Sequence, residues 1–258
     1  MELSAITALA YRDLMKLVRD PIRLATSLIF PVIFIVILGG SFQSGLGSMI
    51  QYDFMHFVFV GVLAQTLFQS SALGIISLIE DRQNDFIQEV FVSPISRYSI
   101  IVGKIIGESC VALIQGIAIL GFGVIIGIPF TVSVVINLIV VGIVICVFGG
   151  SFGILVLSNL KSQRIANQIF PFIMLPQIFL SGVFTPIGNL PLVLDILSRM
   201  SPMRYAVDLA RGIYYSDKVE YDSVVLSEPL ANMTIIVSLL CIFVLIGTWL
   251  FVKNERNS

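Results

Sequence analysis

The sequence predicts an all-α integral membrane protein, and three observations carry that prediction. Of 258 residues, 57% are apolar and only 12% are charged, against about a quarter charged in soluble domains. Mean hydropathy is +1.00. Six apolar runs, each close to the ~20 residues that cross a bilayer as helix, lie at 24–41, 54–79, 105–128, 132–157, 169–187 and 231–252. Lys and Arg concentrate in alternate connections between them. The expected architecture is six transmembrane helices with an N-terminal interfacial amphipathic helix, a cytoplasmic surface helix between the second and third spans, and re-entrant helices before the last. All of it forms one domain over 1–258: interfacial helix 1–23, spans one to five 24–187, an outside segment 188–230, span six 231–252 and a tail 253–258.

In chain order, Leu3, Ile6, Leu9, Ala10, Leu14, Leu17 and Val18 recur at helical spacing, with Arg12, Asp13, Lys16, Arg19 and Asp20 on the remaining face. Such a helix lies in the membrane interface. Pro21 suits the first turn of a restarted helix. The first apolar run ends in small residues like a cleavable leader, but mostly polar or amphipathic residues fill 1–23, which favours a retained span. After the second span, Phe86, Ile87, Val90 and Phe91 form a stripe opposed by Asp81, Arg82, Asp85 and Glu89. The stripe predicts a short surface helix, either a resting connector or a docking element for a soluble partner. Pro94 ends it and Ser96 caps the next helix. The third and fourth spans, separated by a few residues around Pro129, form a hairpin. Pro171, Pro176 and Pro186 predict a bent fifth span. Beyond it, Leu192, Val193, Ile196, Leu197 and Met200, then Tyr205, Ala206, Leu209 and Ile213, predict two amphipathic helices broken at Pro202. Re-entrant backbone of this kind requires protein or a water-lined cavity around it.

Positive charge sets the orientation. Arg12, Lys16, Arg19 and Arg23, then Arg82, Arg97 and Lys104, then Lys161 and Arg164, and finally Lys253 and Arg256 fall on one side, while the alternate loops 42–53 and 129–131 hold no Lys or Arg. Both termini are expected in the cytoplasm. The cations of 188–230 count little in so long a segment accompanied by six acids.

Net charge is −1, which excludes the basic footprint of a nucleic-acid binder. No phosphate-binding glycine loop occurs, and one histidine with three dispersed cysteines makes no zinc constellation. Gly149, Ser151 and Gly153 spell G-x-S-x-G, so an intramembrane serine hydrolase with His56 as base is the rival from another class. His56 starts the second span and Ser151 lies far down the fourth, about 28 Å deeper at 1.5 Å per residue. Close helix packing through Gly142, Cys146 and Gly150, and through Gly103 and Gly107, explains the small residues better. The polar intramembrane residues Gln65, Gln69, Gln115, Asn137 and Gln177 either line a translocation path or bond between helices. Glu108, the one acid within a span, is expected to pair with Lys104 four residues earlier.

Two stretches resemble type-2 ATP-binding-cassette exporter permeases. The first is Glu80-Asp81-Arg82 followed by Ser93-Pro94-Ile95-Ser96-Arg97 and Gly103-Lys104. The second is Leu180-Ser181-Gly182-Val183, Leu190-Pro191 and Pro202-Met203-Arg204-Tyr205 with Arg211. The resemblance covers essentially the whole chain; Gln177 departs from it where an apolar residue is usual. It implies a non-enzymatic permease subunit in the cell membrane that exports a hydrophobic or amphiphilic, drug- or antibiotic-like substrate, or alternatively a polysaccharide or lipid-linked glycan. It also implies a second permease half, usually an identical copy, and nucleotide-binding subunits that carry ATP and Mg. Coupling to those subunits would fall to Arg12 and Lys16 and to the coupling helix with Asp85, Phe86, Ile87, Glu89, Val90 and Phe91. Pro202, Tyr205 and Arg211 are expected to form an extracellular gate, with Arg211 held by a nearby acid such as Asp208.

Overall fold

A computed structural model describes residues 2–46, 52–83, 96–157, 160 and 162–256. Among them the chain is helical, without strands. Helix α1 is Glu2–Val18; α2, Pro21–Phe34, runs through a π turn, Ile35–Gly39, into α3, Gly40–Leu46. Then follow α4 (Phe54–Gly74), α5 (Ile76–Gln83), α6 (Arg97–Ile125), α7 (Val132–Leu157), α8 (Gln163–Leu180), α9 (Leu192–Met200), α10 (Pro202–Tyr214), α11 (Tyr221–Val224) and α12 (Pro229–Arg256). The surface helix expected around Asp85 to Phe91 lies outside the described residues.

Among the described residues, five helical stretches are long and apolar enough to cross a membrane: Leu24–Gln43, Phe54–Asp81, Tyr98–Ile125, Val132–Leu157 and Tyr221–Phe251. The fifth expected span, 169–187, corresponds to α8, which falls short in apolarity because its first two turns carry Gln163, Arg164, Asn167 and Gln168. It starts before the apolar run and stops at Leu180, seven residues short of the expected end. Gly182 then takes a φ of 77°, a left-handed turn conformation that glycine adopts without steric cost.

Side-chain caps set several boundaries. Asp53 accepts from His56 N at 3.1 Å and starts α4; Ser96 accepts from Ser99 N at 3.1 Å and starts α6, as the sequence predicts. Gly127, at φ 85°, turns α6 back toward α7.

The bundle is organised around α4, which contacts α6, α7 and α10. Phe57, Val58, Phe59, Val60, Ala64, Phe68 and Ala72 are all essentially inaccessible. A helix apolar and buried all round is a central one. On α7 the G-x-S-x-G glycines are the seam. A Cβ at Gly149 would overlap Phe68 O, and one at Gly153 would stand 2.6 Å from Ala72 O. Ser151 Oγ donates to Phe148 O of its own helix at 2.7 Å. Phe68 packs edge-on to Phe148, which stacks on Phe243 of α12.

Helix α1 packs along α6. Gly103 and Gly107 permit it: a Cβ at either would stand 3.2 Å from Ile6 Cα or 3.1 Å from Ala10 Cα. The buried edge of α1 therefore runs Ile6, Ala10, Asp13 and Leu17, so Asp13 leaves the charged face to which its type assigns it. Leu3, Tyr11 and Val18 are exposed.

Candidate functional site

Two cavities sit side by side along α4 and α6 and share Leu73, Gly74, Glu108 and Val111. The upper, about 400 Å³, lies between α2, α4 and α6, with Phe30 and Phe34 on one wall and Gln65, Gln69 and Gln115 on the other. Gln65 Nε2 donates to Gln69 Oε1 at 3.2 Å, so the pair one turn apart presents a continuous amide edge. Thr66 and Ser70 extend it. The Gln115 amide has no hydrogen-bond partner among the described residues, although the residue is only 6% exposed.

The lower cavity, about 620 Å³, is lined by Asp13, Lys16, Arg19, Asp20, Glu80 and Glu108 among others. A charge network stands at its wall. The buried Lys104 ammonium is 2.7 Å from Asp13 Oδ2 and 3.1 Å from Glu108 Oε1, and Ser77 Oγ donates to the same Glu108 oxygen at 2.9 Å. Arg12 bonds both Asp13 and Asp81, while Lys16 lies 3.8 Å from Asp81. Burial acts to lower the Arg12 guanidinium, and bonding to Asp81 and the charges of Asp81 and Asp13 more than offset it, holding it above its ordinary value. The expected Glu108–Lys104 pair is present. Asp13, 91 residues away, completes it, and the only sequence signal for this was an acid at the 4-3-4 spacing of the α1 stripe.

Lys104→Met removes the cation shared by two buried carboxylates. We expect it to destabilise the fold by about 3 to 5 kcal/mol, as breaking buried pairs does, read as a lowered melting temperature and protease cleavage within α1. An unchanged melting temperature with α1 protected would overturn this role.

Other sequence candidates lie elsewhere. Asn137 is exposed on α7, outside both linings. Gln177, on α8, is 7% exposed; its Nε2 donates to Ile173 O at 3.4 Å, and its Oε1 is buried without a partner. His56 sits beside Tyr214 at the first turn of α4, whereas Gly150 faces Ser71 Oγ, about 22 Å further along α4 at 1.5 Å per residue. His56 is therefore out of reach of Ser151, and Gly149 to Gly153 packs as a helix seam against α4. No group of three metal-ligating side chains occurs among the described residues.

At the opposite end, α9 and α10 occupy the predicted positions. Pro202 opens α10 and is buried. Tyr205 Oη donates to Arg199 O at 2.7 Å. Arg211 is 2% exposed, but its partner is not Asp208. Its Nη2 donates to Gly182 O at 2.7 Å, Val183 O at 3.2 Å and Phe57 O at 3.4 Å, and its guanidinium lies 3.6 Å above the Phe57 ring. Burial pushes it down to about 10, opposed by the charge of Asp208 at longer range; it remains a cation at neutral pH. Asp208 instead accepts from Leu226 N, Ser227 N and Asn232 Nδ2 at 2.8, 2.9 and 2.7 Å, anchoring the segment before α12 and the first turn of α12 itself. Acceptors freed by a backbone turn leave no mark in composition, which is why pairing with an acid was expected.

Comparison with known proteins places this architecture. The family described as ABC-2 type transporter matches residues 4–215. A Cyanophora paradoxa protein named transport permease ycf38 is 28% identical over 96% of this chain and 88% of its own length; its namesake in Porphyra purpurea is 24% identical over 95% of this chain and 86% of its own. An Escherichia coli protein named multidrug ABC transporter permease YbhR is 28% identical over 64% of this chain and 45% of its own length. With its apolar helical bundle and this match over most of its length, the chain is a multi-pass membrane protein that belongs to the ABC-2 type transporter family.

Proposed function

We propose that the chain is the membrane subunit of an ATP-driven exporter that moves an amphiphilic, drug-like substrate from the cytoplasmic side outward, with ATP and Mg held by a separate nucleotide-binding subunit. The groove carries this reading: an aromatic wall of Phe30 and Phe34 faces the amides of Gln65, Gln69 and Gln115 and opens into a charged cavity. Apolar walls with a few oriented polar groups suit an amphiphile. Helix α8 serves as the fifth of six spans, its 18 residues reaching about 27 Å, and the distribution of Lys and Arg supports cytoplasmic termini in the cell membrane. The family resemblance supports a paired permease half, normally an identical copy. It also supports coupling to the ATPase through Arg12, Lys16 and the segment with Asp85, Phe86, Ile87, Glu89, Val90 and Phe91. Pro202, Tyr205 and Arg211 belong to the outer gate.

The test is affinity purification of the tagged chain in mild detergent, followed by ATP-dependent uptake of a lipophilic dye into inverted vesicles. An ATPase subunit should co-purify, and Gln65→Leu with Gln69→Leu should cut uptake about tenfold, the loss of a hydrogen bond or two, without reducing ATPase association. Asp85→Lys with Glu89→Lys should abolish association. Absence of an ATPase, or uptake indifferent to the glutamines, would sink the reading.

A further inference from the structure

The junction of the two cavities holds a hydrogen-bond acceptor that the fold does not use. Glu108 lines both cavities and is 4% exposed. Its Oε1 faces Lys104 and takes the Ser77 hydrogen bond. Its Oε2 carries no hydrogen bond among the described residues. Oε2 lies against Gly74, where a Cβ would overlap it, and Gly74 itself lines both cavities. Two turns above it, Gln115 is 6% exposed as a residue, and its amide makes no hydrogen bond among the described residues and lines the upper cavity. A carboxylate oxygen accepts and cannot donate, and Oε2 is open to the cavities rather than sealed in the fold. What it can take from the cavity is therefore a donor from outside the chain.

The surrounding charge selects among donors. Lys104 is 1% exposed and engaged by Asp13 and Glu108, so it offers nothing to an incoming anion. The charged residues lining the lower cavity are Asp13, Asp20, Glu80 and Glu108 against Lys16 and Arg19. An anionic head group would meet an acceptor and an excess of carboxylates; a hydroxyl would make an ordinary hydrogen bond; an ammonium makes a charge-assisted one, roughly twice as strong.

We propose that Glu108 is the recognition group for an amine-bearing amphiphile, whose ammonium bonds Oε2 at the cavity junction while its apolar body lies between Phe30 and Phe34 and the Gln115 amide. This names the substrate class of the groove and rests on the export reading above. The same chemistry reaches the site from two sources, a free alkylamine or the head group of phosphatidylethanolamine.

The experiment uses the full chain in phosphatidylcholine nanodiscs, with Cys110, Cys146 and Cys241 replaced and Ser70→Cys as reporter in the upper cavity. Maleimide labelling of that cysteine is timed in dodecylamine, dodecanol or dodecanoate, which share one tail and differ in head group. Dodecylamine should half-protect at a concentration about tenfold or more below dodecanol, as a charged hydrogen bond requires, and dodecanoate should protect least. Glu108→Gln should erase the preference. Because Glu108 also holds Lys104, the double variant Lys104→Gln with Glu108→Gln removes cation and carboxylate together, and should likewise protect equally with amine and alcohol. Nanodiscs containing phosphatidylethanolamine that slow labelling without added amine assign the lipid as source; unchanged labelling assigns the free amine. Equal protection by dodecylamine and dodecanol in the parent, or a preference that survives in a folded variant, overturns the amine class and leaves the export reading standing. Failure of every amphiphile to protect removes the groove as a substrate site and both readings with it.

Discussion

Gly149→Leu is expected to keep α7 from seating on α4, whereas Ser151→Ala, two residues away, should leave fold and transport unchanged. The asymmetry follows from the seam. At Gly149 even a Cβ would overlap the Phe68 carbonyl, which is backbone in the most buried helix of the bundle and has nowhere to move. A leucine must push the two helices apart, unstacking Phe148 from Phe243 and from Phe68. Overpacking a close-packed interior ordinarily costs about 1 to 3 kcal/mol; against rigid backbone at a helix crossing we expect at least the top of that range. Ser151 Oγ merely bonds its own helix, and an alanine there removes donor and hydroxyl together without stranding a group. Detergent-solubilised variants followed by size-exclusion profile and melting temperature test the pair. A well-folded Ser151→Ala variant that had lost activity would restore a catalytic reading of the serine; a normal melting temperature for Gly149→Leu would refute the seam.

What the sequence revealed, and what it concealed, divides along local and distant partners. Ser96 and Pro202 act on backbone within a turn of themselves, and their roles were legible from type and position; Asp53 caps α4 in the same way without having been singled out. The second and fourth spans were bounded closely because apolar runs report membrane depth directly. Helix α8 was placed late because its polar first turns carry no apolar signal, and Gly182 ended it earlier than hydropathy indicated. Of the groove, Gln65 and Gln69 were visible by their four-residue spacing. Phe30 and Phe34 were not singled out, since an aromatic residue in a span reads the same on either face. Asn137, Gln115 and Gln177 were equivalent in the sequence; only the rotation of each helix, set by neighbours far along the chain, sends Gln115 into the cavity and Asn137 outward.

That distinction bears on charge as well. Asp13 and Asp208 are both acids beside amphipathic stripes, yet the first takes a cation from α6 and the second takes backbone donors from the segment before α12 and an amide donor from α12. In both cases the acid joins a shorter helix to a long apolar one. Each end of the bundle therefore has a polar fastening that supplies specificity where apolar surfaces meeting in lipid provide little driving force.

Arg211→Met should be the most damaging substitution at the α10 end of the bundle. Three carbonyls converge on the guanidinium: Phe57 from α4 and Gly182 and Val183 from the turn after α8. The turn reaches them because Gly61 leaves room; a Cβ there would stand 3.0 Å from Arg211 Nη2 and 3.1 Å from Val183 Cα. Methionine preserves length and apolar contact with the Phe57 ring but strands carbonyls buried beneath α10. Hydrogen bonds to charged groups contribute about 1.5 to 3 kcal/mol each, and removing one partner of a buried charged set costs about 3 to 5 kcal/mol. Arg211→Lys should recover little, because an ammonium replaces the planar fork with a point charge that cannot both stack on Phe57 and span acceptors from two elements. Asp208→Asn should cost less, since its amide oxygen still accepts from one of Leu226, Ser227 or Asn232 while Arg211 keeps its carbonyls. The expected order of melting temperatures is thus parent, Asp208→Asn, Arg211→Lys, Arg211→Met, measured on purified protein in one detergent. If Asp208→Asn falls as far as Arg211→Met, the two residues act as one ion pair and the carbonyl clasp is not what holds the α10 end.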